Sequence, residues 1–114
     1  MKNLEKKKAR FLKESLPIRL ASLAADLGRV SSSARHQSGA ESVAEMLEES
    51  RYYIEWTAAE AEPEIAAELV DIQRMLSLWV KTWPDAQKNV TQRTLLSVQA
   101  KKWSDLVLGY SGLL

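Results

Sequence analysis

The chain of 114 residues contains no cysteine, which excludes disulfide bonds, thiolate metal sites and a catalytic thiol. It has only four glycines, three prolines and one histidine. Because glycine and proline most often mark turns, their scarcity indicates few chain reversals, and the frequent alanine, leucine and glutamate favour helix throughout.

Long hydrophobic runs are also missing. No segment approaches the length of a transmembrane helix, and the start "MKNLEKKKARFLKES" lacks the apolar core of a signal peptide. The formal net charge of +1 provides no overall field that would attract nucleic acid or an anionic membrane. With 46% apolar and 27% charged residues, the composition is that of a globular protein. We therefore expect a cytoplasmic protein with one domain over residues 1–114, with no membrane partner and with nucleic acid disfavoured.

Charge is unevenly distributed along the chain. Residues 1–13 contain six basic residues against one acid, residues 41–68 contain nine glutamates against one arginine, and residues 81–102 contain five basic residues against one aspartate. In a compact fold, the acidic middle can lie against the basic ends. The alternative is a basic arm that binds an acidic partner, although such runs are usually solvated helix faces.

Apolar residues recur at alternating steps of four and three along four segments, which is the spacing of helices packed at a shallow angle. We call the line of residues at this spacing in each segment its seam. The four seams are Leu16, Leu20, Leu23, Leu27, Val30 and Ala34; Val43, Leu47, Ser50, Ile54, Thr57 and Ala61; Ile65, Leu69, Ile72, Leu76, Trp79 and Trp83; and Leu96, Ala100, Trp103, Val107 and Tyr110. No comparable alternation of period two occurs. The pattern predicts an all-α fold: an antiparallel up-down four-helix bundle, preceded by a short basic N-terminal helix or arm over residues 1–14.

Local signals predict where the helices begin and end. Pro17 suits the first turn of a helix, where its missing N–H is no loss. The segment Ser38–Glu41 matches a capping box that would start the second helix of the bundle. Pro84 is expected to end the third helix at "TWPD", and Asn89 is a candidate cap for the fourth.

The stretch that follows Trp56 allows two connections. Thr57–Glu60 matches a second capping box and Pro63 follows it, so a reversal there gives four helices of similar length. Without a reversal, the second and third segments join into one long helix kinked at Pro63. No glycine marks the turn. We favour the reversal because matched lengths produce a compact bundle.

The stretch "RYYIEWTAAEAEPE" raises the question of what its aromatic rings contact. Tyr52 and Trp56 each lie two residues from Ile54, so both point away from the seam, on a stripe shared with Glu45 and Glu49. One explanation is an intramolecular cover by the apolar residues of the N-terminal arm. The other is a partner-binding surface, since tyrosine and tryptophan concentrate in interface cores. The remaining rings lie on or beside the seams as core residues: Tyr53, Trp79, Trp83, Trp103 and Tyr110.

The apolar residues available to that cover are Leu4, Phe11 and Leu12. In the partner explanation, Tyr52, Trp56, Glu45 and Glu49 contact another protein or a second copy in a homodimer. The basic residues between Lys2 and Lys13 of the second chain would then face the glutamates.

No residue pattern indicates a metal or a cofactor. Helical bundles that hold two metal ions use Glu-x-x-His pairs, which are missing here, and the one histidine is His36. The segment "RVSSSARH" resembles the ribonuclease signature of HEPN domains, although Val30 stands where that family commonly has a polar residue. The resemblance implies a metal-independent ribonuclease or toxin–antitoxin component, with Arg29 binding phosphate and His36 acting as acid or base. Because no inward-facing polar constellation is otherwise evident, we favour a non-enzymatic interaction or scaffold module.

Three segments, "RFLKESLPIRLASLAADLGRV", "RYYIEWTAAEAE" and "LSLWVKTW", together resemble uncharacterised small all-helical proteins of cyanobacteria. This resemblance extends over most of the chain and implies a bacterial cytosolic setting. It implies no activity.

Overall fold

The computed structural model describes residues 3–113, in which the chain forms five α-helices and no β-strand. The helices are α1 (Leu4–Leu12), α2 (Leu16–Ala34), α3 (Ala40–Thr57), α4 (Pro63–Ala86) and α5 (Val90–Ser111). Short 3-10 turns at Gln37–Gly39 and Ala58–Glu60 precede and follow α3. The all-α class predicted from the sequence is confirmed. Lys2, which belongs to the predicted basic arm, lies outside the described residues.

The seams predicted from apolar spacing form one core. Leu27, Leu47, Leu69, Leu76 and Leu96 are completely buried. The aromatic residues of α4 are part of the same core, as predicted, and their indole N–H groups have specific acceptors. Trp83 donates to the Ala40 carbonyl at 2.9 Å, and Trp79 donates to Oε1 of Gln99 at 2.8 Å. These two bonds connect α4 to the start of α3 and to the middle of α5.

Helix α2 occupies the centre, because it packs against both α3 and α5, while α4 packs mainly against α3. Small residues allow α2 and α5 to approach closely. Ser31 Oγ donates to the Ser97 carbonyl and Ser97 Oγ donates to the Ser31 carbonyl, each at 2.8 Å. Further along the pair, Ser104 Oγ donates to the Ala24 carbonyl at 2.7 Å. A larger side chain at these positions would separate the two helices.

The chain breaks between α3 and α4, as the favoured connection predicted. Arg19, which is only 5% exposed, helps to fix this break. Its guanidinium donates to the Trp56 carbonyl at 3.3 Å and makes two bonds, of 2.7 and 3.0 Å, to the Glu60 carboxylate. Thr57 is buried and makes no cap hydrogen bond, so the capping box predicted there is wrong. A charged clamp from α2 holds the turn instead.

Two other boundary predictions are wrong and two are confirmed, one of them being Pro17, which lies in the first turn of α2. Helix α4 continues past Pro84 to Ala86, because a proline this close to the end removes little of the helix and Ala86 is buried in the core. Ser38 does not cap α3, since a 3-10 turn precedes that helix and Gly39 takes the cap position. Asn89 does cap α5: its side-chain oxygen accepts from the Gln92 N–H at 3.1 Å. No helix in residues 3–113 is long and apolar enough to cross a membrane.

Candidate functional site

The N-terminal helix α1 lies on α3 and completes a cluster of four aromatic rings. Phe11 is the buried residue of α1, at 6% exposed. Its ring is stacked on Tyr53, with centroids 4.1 Å apart and planes 5° apart, and lies 5.8 Å from Trp56. Tyr52 stacks in turn on Trp56 at 5.6 Å. We call Phe11, Tyr52, Tyr53 and Trp56 the aromatic cluster.

The predicted partner-binding residues differ in what remains accessible to a partner. Tyr52 and Trp56 are half-buried, and α1 reaches Trp56 through Phe11. Glu45 is exposed, whereas the Glu49 carboxylate already binds Nζ of Lys7 from α1. The intramolecular cover predicted from the sequence is therefore incomplete, and the partner-binding surface stays a prediction.

A groove runs beside the aromatic cluster, between α1 and the end of α3. Apolar side chains form part of it, including Leu12, which is 42% exposed. Acidic side chains of α3 and the following turn form much of its rim. The lining residues are Leu4, Glu5, Lys8, Leu12, Glu55, Trp56 and Glu60. The groove therefore combines three apolar side chains with three glutamates and one lysine.

Behind the aromatic cluster, two acidic side chains from different helices meet below α1. Asp26 of α2 is only 1% exposed, and Glu49 of α3 lies within hydrogen-bonding reach of it. Arg29 binds Oδ1 of Asp26, while Lys7 binds the Glu49 carboxylate. In the described part of the chain, Oδ2 of Asp26 is buried and accepts no hydrogen bond. We call Asp26 and Glu49 the carboxyl pair.

The pKa values of the two carboxyl groups are shifted in opposite directions. Burial, together with the adjacent Glu49, raises the pKa of Asp26 from 3.8 to about 8. Burial also acts to raise the pKa of Glu49, but hydrogen bonds from Asp26 and Lys7 outweigh it and leave that pKa below its ordinary value. These directions favour a protonated Asp26 that donates to an ionised Glu49 at neutral pH. This assignment accounts for the buried oxygen that would otherwise lack a partner.

Tyr53 connects the carboxyl pair to the aromatic cluster. Burial, followed by the negative charges of Glu49 and Asp26, raises the pKa of the Tyr53 hydroxyl well above its ordinary value. The neutral hydroxyl can donate to Glu49, while the ring of the same residue stacks on Phe11. One tyrosine thus links the polar and apolar contacts that hold α1.

These groups can join helices, but they are poorly placed for catalysis. A general acid must reach its substrate within hydrogen-bonding distance, and Asp26 is almost completely enclosed. Lys7, the carboxyl pair and Arg29 come from three different helices. The arrangement therefore serves as a polar joint that holds α1, α2 and α3 together.

The two residues of the ribonuclease alternative lie in different surroundings. Arg29 is on α2 and binds Asp26, although its side chain is 60% exposed. His36 lies beyond the end of α2, exposed, in front of the 3-10 turn. Within residues 3–113, no hydrogen bond or ion pair joins the two. The sequence-based pairing has no geometric counterpart here.

The sequence analysis overlooked an apolar surface on the outer side of α5. Val90 is 64% exposed, and Leu95 and Val98 are each 44% exposed. Thr91 and Thr94 line the same surface, so its lining residues are uncharged. The available signal was the apolar residues between the seam positions in "VTQRTLLSVQ".

No group of three or more histidine, aspartate or glutamate side chains in the described residues is arranged to hold a metal ion. The chain matches no protein-family model, no curated protein and no solved structure.

Proposed function

We propose that this chain is a non-enzymatic interaction module of the bacterial cytoplasm that binds a protein partner, with a second copy of itself as the first candidate. In this proposal, α2 to α5 form an antiparallel up-down four-helix bundle across which α1 is docked. The observation that supports it is the pair of half-buried rings on α3, Tyr52 and Trp56, which a single short helix covers incompletely.

The chemistry of this face suits recognition of a protein. Tyrosine and tryptophan supply large apolar area with little conformational entropy to lose, and they are enriched in the energetic centres of interfaces. Tyr52 and Trp56 are stacked on each other, so their rings are already ordered before a partner arrives. Glu45 and Glu55 are exposed nearby and can contact cationic groups at the rim. Glu49 contributes by holding α1 through Lys7.

A symmetric dimer would use the same face on both subunits, so one substitution should weaken it twice. Trp56→Ala is expected to raise the dimer dissociation constant by roughly 30-fold to 1,000-fold, which corresponds to about 2–4 kcal/mol. Sedimentation equilibrium over a range of protein concentrations measures this change. Far-UV circular dichroism of the variant should remain close to that of the wild type.

Leu95→Ala is the matched control, because it removes apolar area from the outer side of α5 rather than from the aromatic cluster. It should leave the dissociation constant unchanged. A wild-type chain that stays monomeric at high micromolar concentration would rule out the dimer, and dissociation by Leu95→Ala would move the interface to α5. RNA cleavage that disappears on His36→Ala would contradict the non-enzymatic proposal.

A further inference from the structure

We infer that α1 is an exchangeable segment, so that in a dimer the α1 helix of each copy lies on α3 of the other copy. This inference rests on the proposed self-association and specifies the segment that mediates it. It depends on three features of the structure: the small attachment of α1, the position of its hinge and the match between α1 and α3.

The attachment of α1 is small compared with that of the other helices. Within the described residues, α1 packs mainly against α3, and Phe11 is its one buried side chain. Lys7 adds an ion pair whose groups are 35% and 19% exposed. A helix of nine residues does not persist alone in water, so α1 is helical because it is docked. It can therefore be released without disturbing the core of α2 to α5.

The hinge for this release is the short segment between α1 and α2. Lys13 and Glu14 close the last turn of α1 through bonds to the carbonyls of Arg10 and Phe11. On the other side, Nε of Arg19 donates to the Glu14 carbonyl at 3.1 Å. Because Arg19 is also clamped to Glu60, the chain is anchored from Glu14 onward. Lys13 is therefore the residue about which α1 can swing away.

Helix α1 matches α3 in register. Lys7 and Phe11 are four residues apart, and so are their respective partners Glu49 and Tyr53. Each turn of α1 therefore meets one turn of α3, with an ion pair followed by a ring stack. Because both contacts are made by side chains of these two helices, the α1 of a second copy can make them equally well.

Charge complementarity also favours the α1 helix of a second copy as the segment that lies on α3. Helix α1 contains four basic residues and one acid, whereas α3 contains five glutamates and one arginine. Exchange replaces each intramolecular contact by an identical intermolecular one, which is the usual basis of domain swapping. The open hinge then brings the Tyr52 and Trp56 surfaces of the two copies into one assembly.

Charge reversal in two separate full-length chains tests this inference. Lys7→Glu places two acidic groups together within one chain, and Glu49→Lys places two basic groups together within the other. Neither chain alone can form the ion pair, whether α1 is docked intramolecularly or exchanged. In a mixture, an exchanged heterodimer restores both pairs, because each introduced charge meets its opposite on the other copy. Native mass spectrometry can identify the heterodimer when one chain carries nitrogen-15.

We expect the equimolar mixture to contain about tenfold more dimer, or greater, than either variant alone at the same total concentration. The control is the single chain with both Lys7→Glu and Glu49→Lys, which restores the pair intramolecularly. It should behave as the wild type does and should not form heterodimers with it. Circular dichroism checks that each variant keeps its helical content.

The outcomes separate this inference from the proposed function. In one outcome, the wild type dimerises and Trp56→Ala dissociates it, but the mixture of charge variants stays monomeric. That outcome overturns the exchange of α1 and supports the interaction face. A heterodimer that forms only on mixing supports the exchange, and it does so even if Trp56→Ala leaves the wild-type dimer intact. Equal dimerisation of the separate variants and of the mixture overturns the exchange.

Discussion

Replacement of Asp26 by asparagine should stabilise the protein at neutral pH, although it removes a buried side chain that binds Arg29 and Glu49. The reason is the proton on Asp26. Burial, with the adjacent Glu49, raises the pKa of Asp26 to about 8, so the folded protein keeps this proton at pH 7. The unfolded chain, with the ordinary value of 3.8, has lost it. The amide of Asn has a similar shape and can donate to Glu49 without taking up a proton.

The sign and size of the effect follow from proton linkage. Between about pH 4 and pH 8 the folded state binds more protons than the unfolded state, so the free energy of unfolding falls as pH rises. The largest slope for one group is about 1.4 kcal/mol per pH unit, which gives a loss of roughly 2–3 kcal/mol between pH 5 and pH 7. Glu49, whose pKa is lowered, supplies stability that is lost only in more acidic solution, as pH falls through that pKa.

For Asp26→Asn, the slope between pH 5 and pH 7 should largely disappear. At pH 7 the variant should exceed the wild type in free energy of unfolding by roughly 2–4 kcal/mol, and the two should converge towards pH 4. Urea titrations followed by circular dichroism at several pH values measure both quantities, with an unchanged m-value as evidence that the folded state is intact.

Asp105→Asn is the control, because Asp105 is 62% exposed and pairs only with Lys101 on the surface of α5. It should leave the pH slope unchanged. A wild-type stability that is flat or rises from pH 5 to pH 7 would refute the protonated assignment. A variant less stable than the wild type at pH 7 would refute it too, and would indicate an ionised Asp26 held by Arg29.

Three further substitutions test the local structure, each by urea titration. Gly39→Ala should destabilise the chain by about 1 kcal/mol or more, because the added Cβ would lie 2.6 Å from the Ser33 carbonyl oxygen. Gly109→Ala, in α5 with nothing within 4 Å of the added Cβ, should instead stabilise it by roughly 0.5–1 kcal/mol. If both changes have the same sign, the close approach at Gly39 is wrong. Asn89→Ala should cost about 1 kcal/mol by leaving the Gln92 N–H uncapped, and no loss would indicate that the cap is not formed.

The core could be predicted from the sequence because the spacing of apolar residues directly reflects helix packing. Leu27 and Leu76 lie on seams that were evident before any coordinates, and both are completely buried. The end of α4 could not be predicted in the same way. Pro84 lacks the N–H of a helical hydrogen bond, and on that ground we expected the helix to end there. Burial of Ala86, about half a turn later, instead decides where the helix ends.

The candidate site was predictable only in part, because its polar half depends on which helices become neighbours. Tyr52 and Trp56 were identified by their position off the seam, and Phe11 was among the residues expected to cover them. Asp26 gave no such signal. It adjoins Leu27 in the sequence, where a charged residue is ordinarily solvated, and only the packing of α2 against α3 brings Glu49 beside it.

The close pairing of α2 with α5 has a consequence for how the chain folds. Contacts of α2 with α3 and of α3 with α4 join neighbours in sequence and can form soon after the helices appear. The serine bonds between α2 and α5 instead connect Ser31 with Ser97, which are 66 residues apart, and Ser104 with Ala24, which are 80 apart. Closing so large a loop is slow compared with forming a helical hairpin.

During synthesis on the ribosome, the seam of α2 must therefore wait for its main partner until α5 has emerged. We expect Leu27 and Val30, which are completely buried in the folded protein, to remain accessible on the nascent chain during that interval. Docking of α5 then completes the burial of α2, and α2 is the segment that a chaperone would meet before that step occurs.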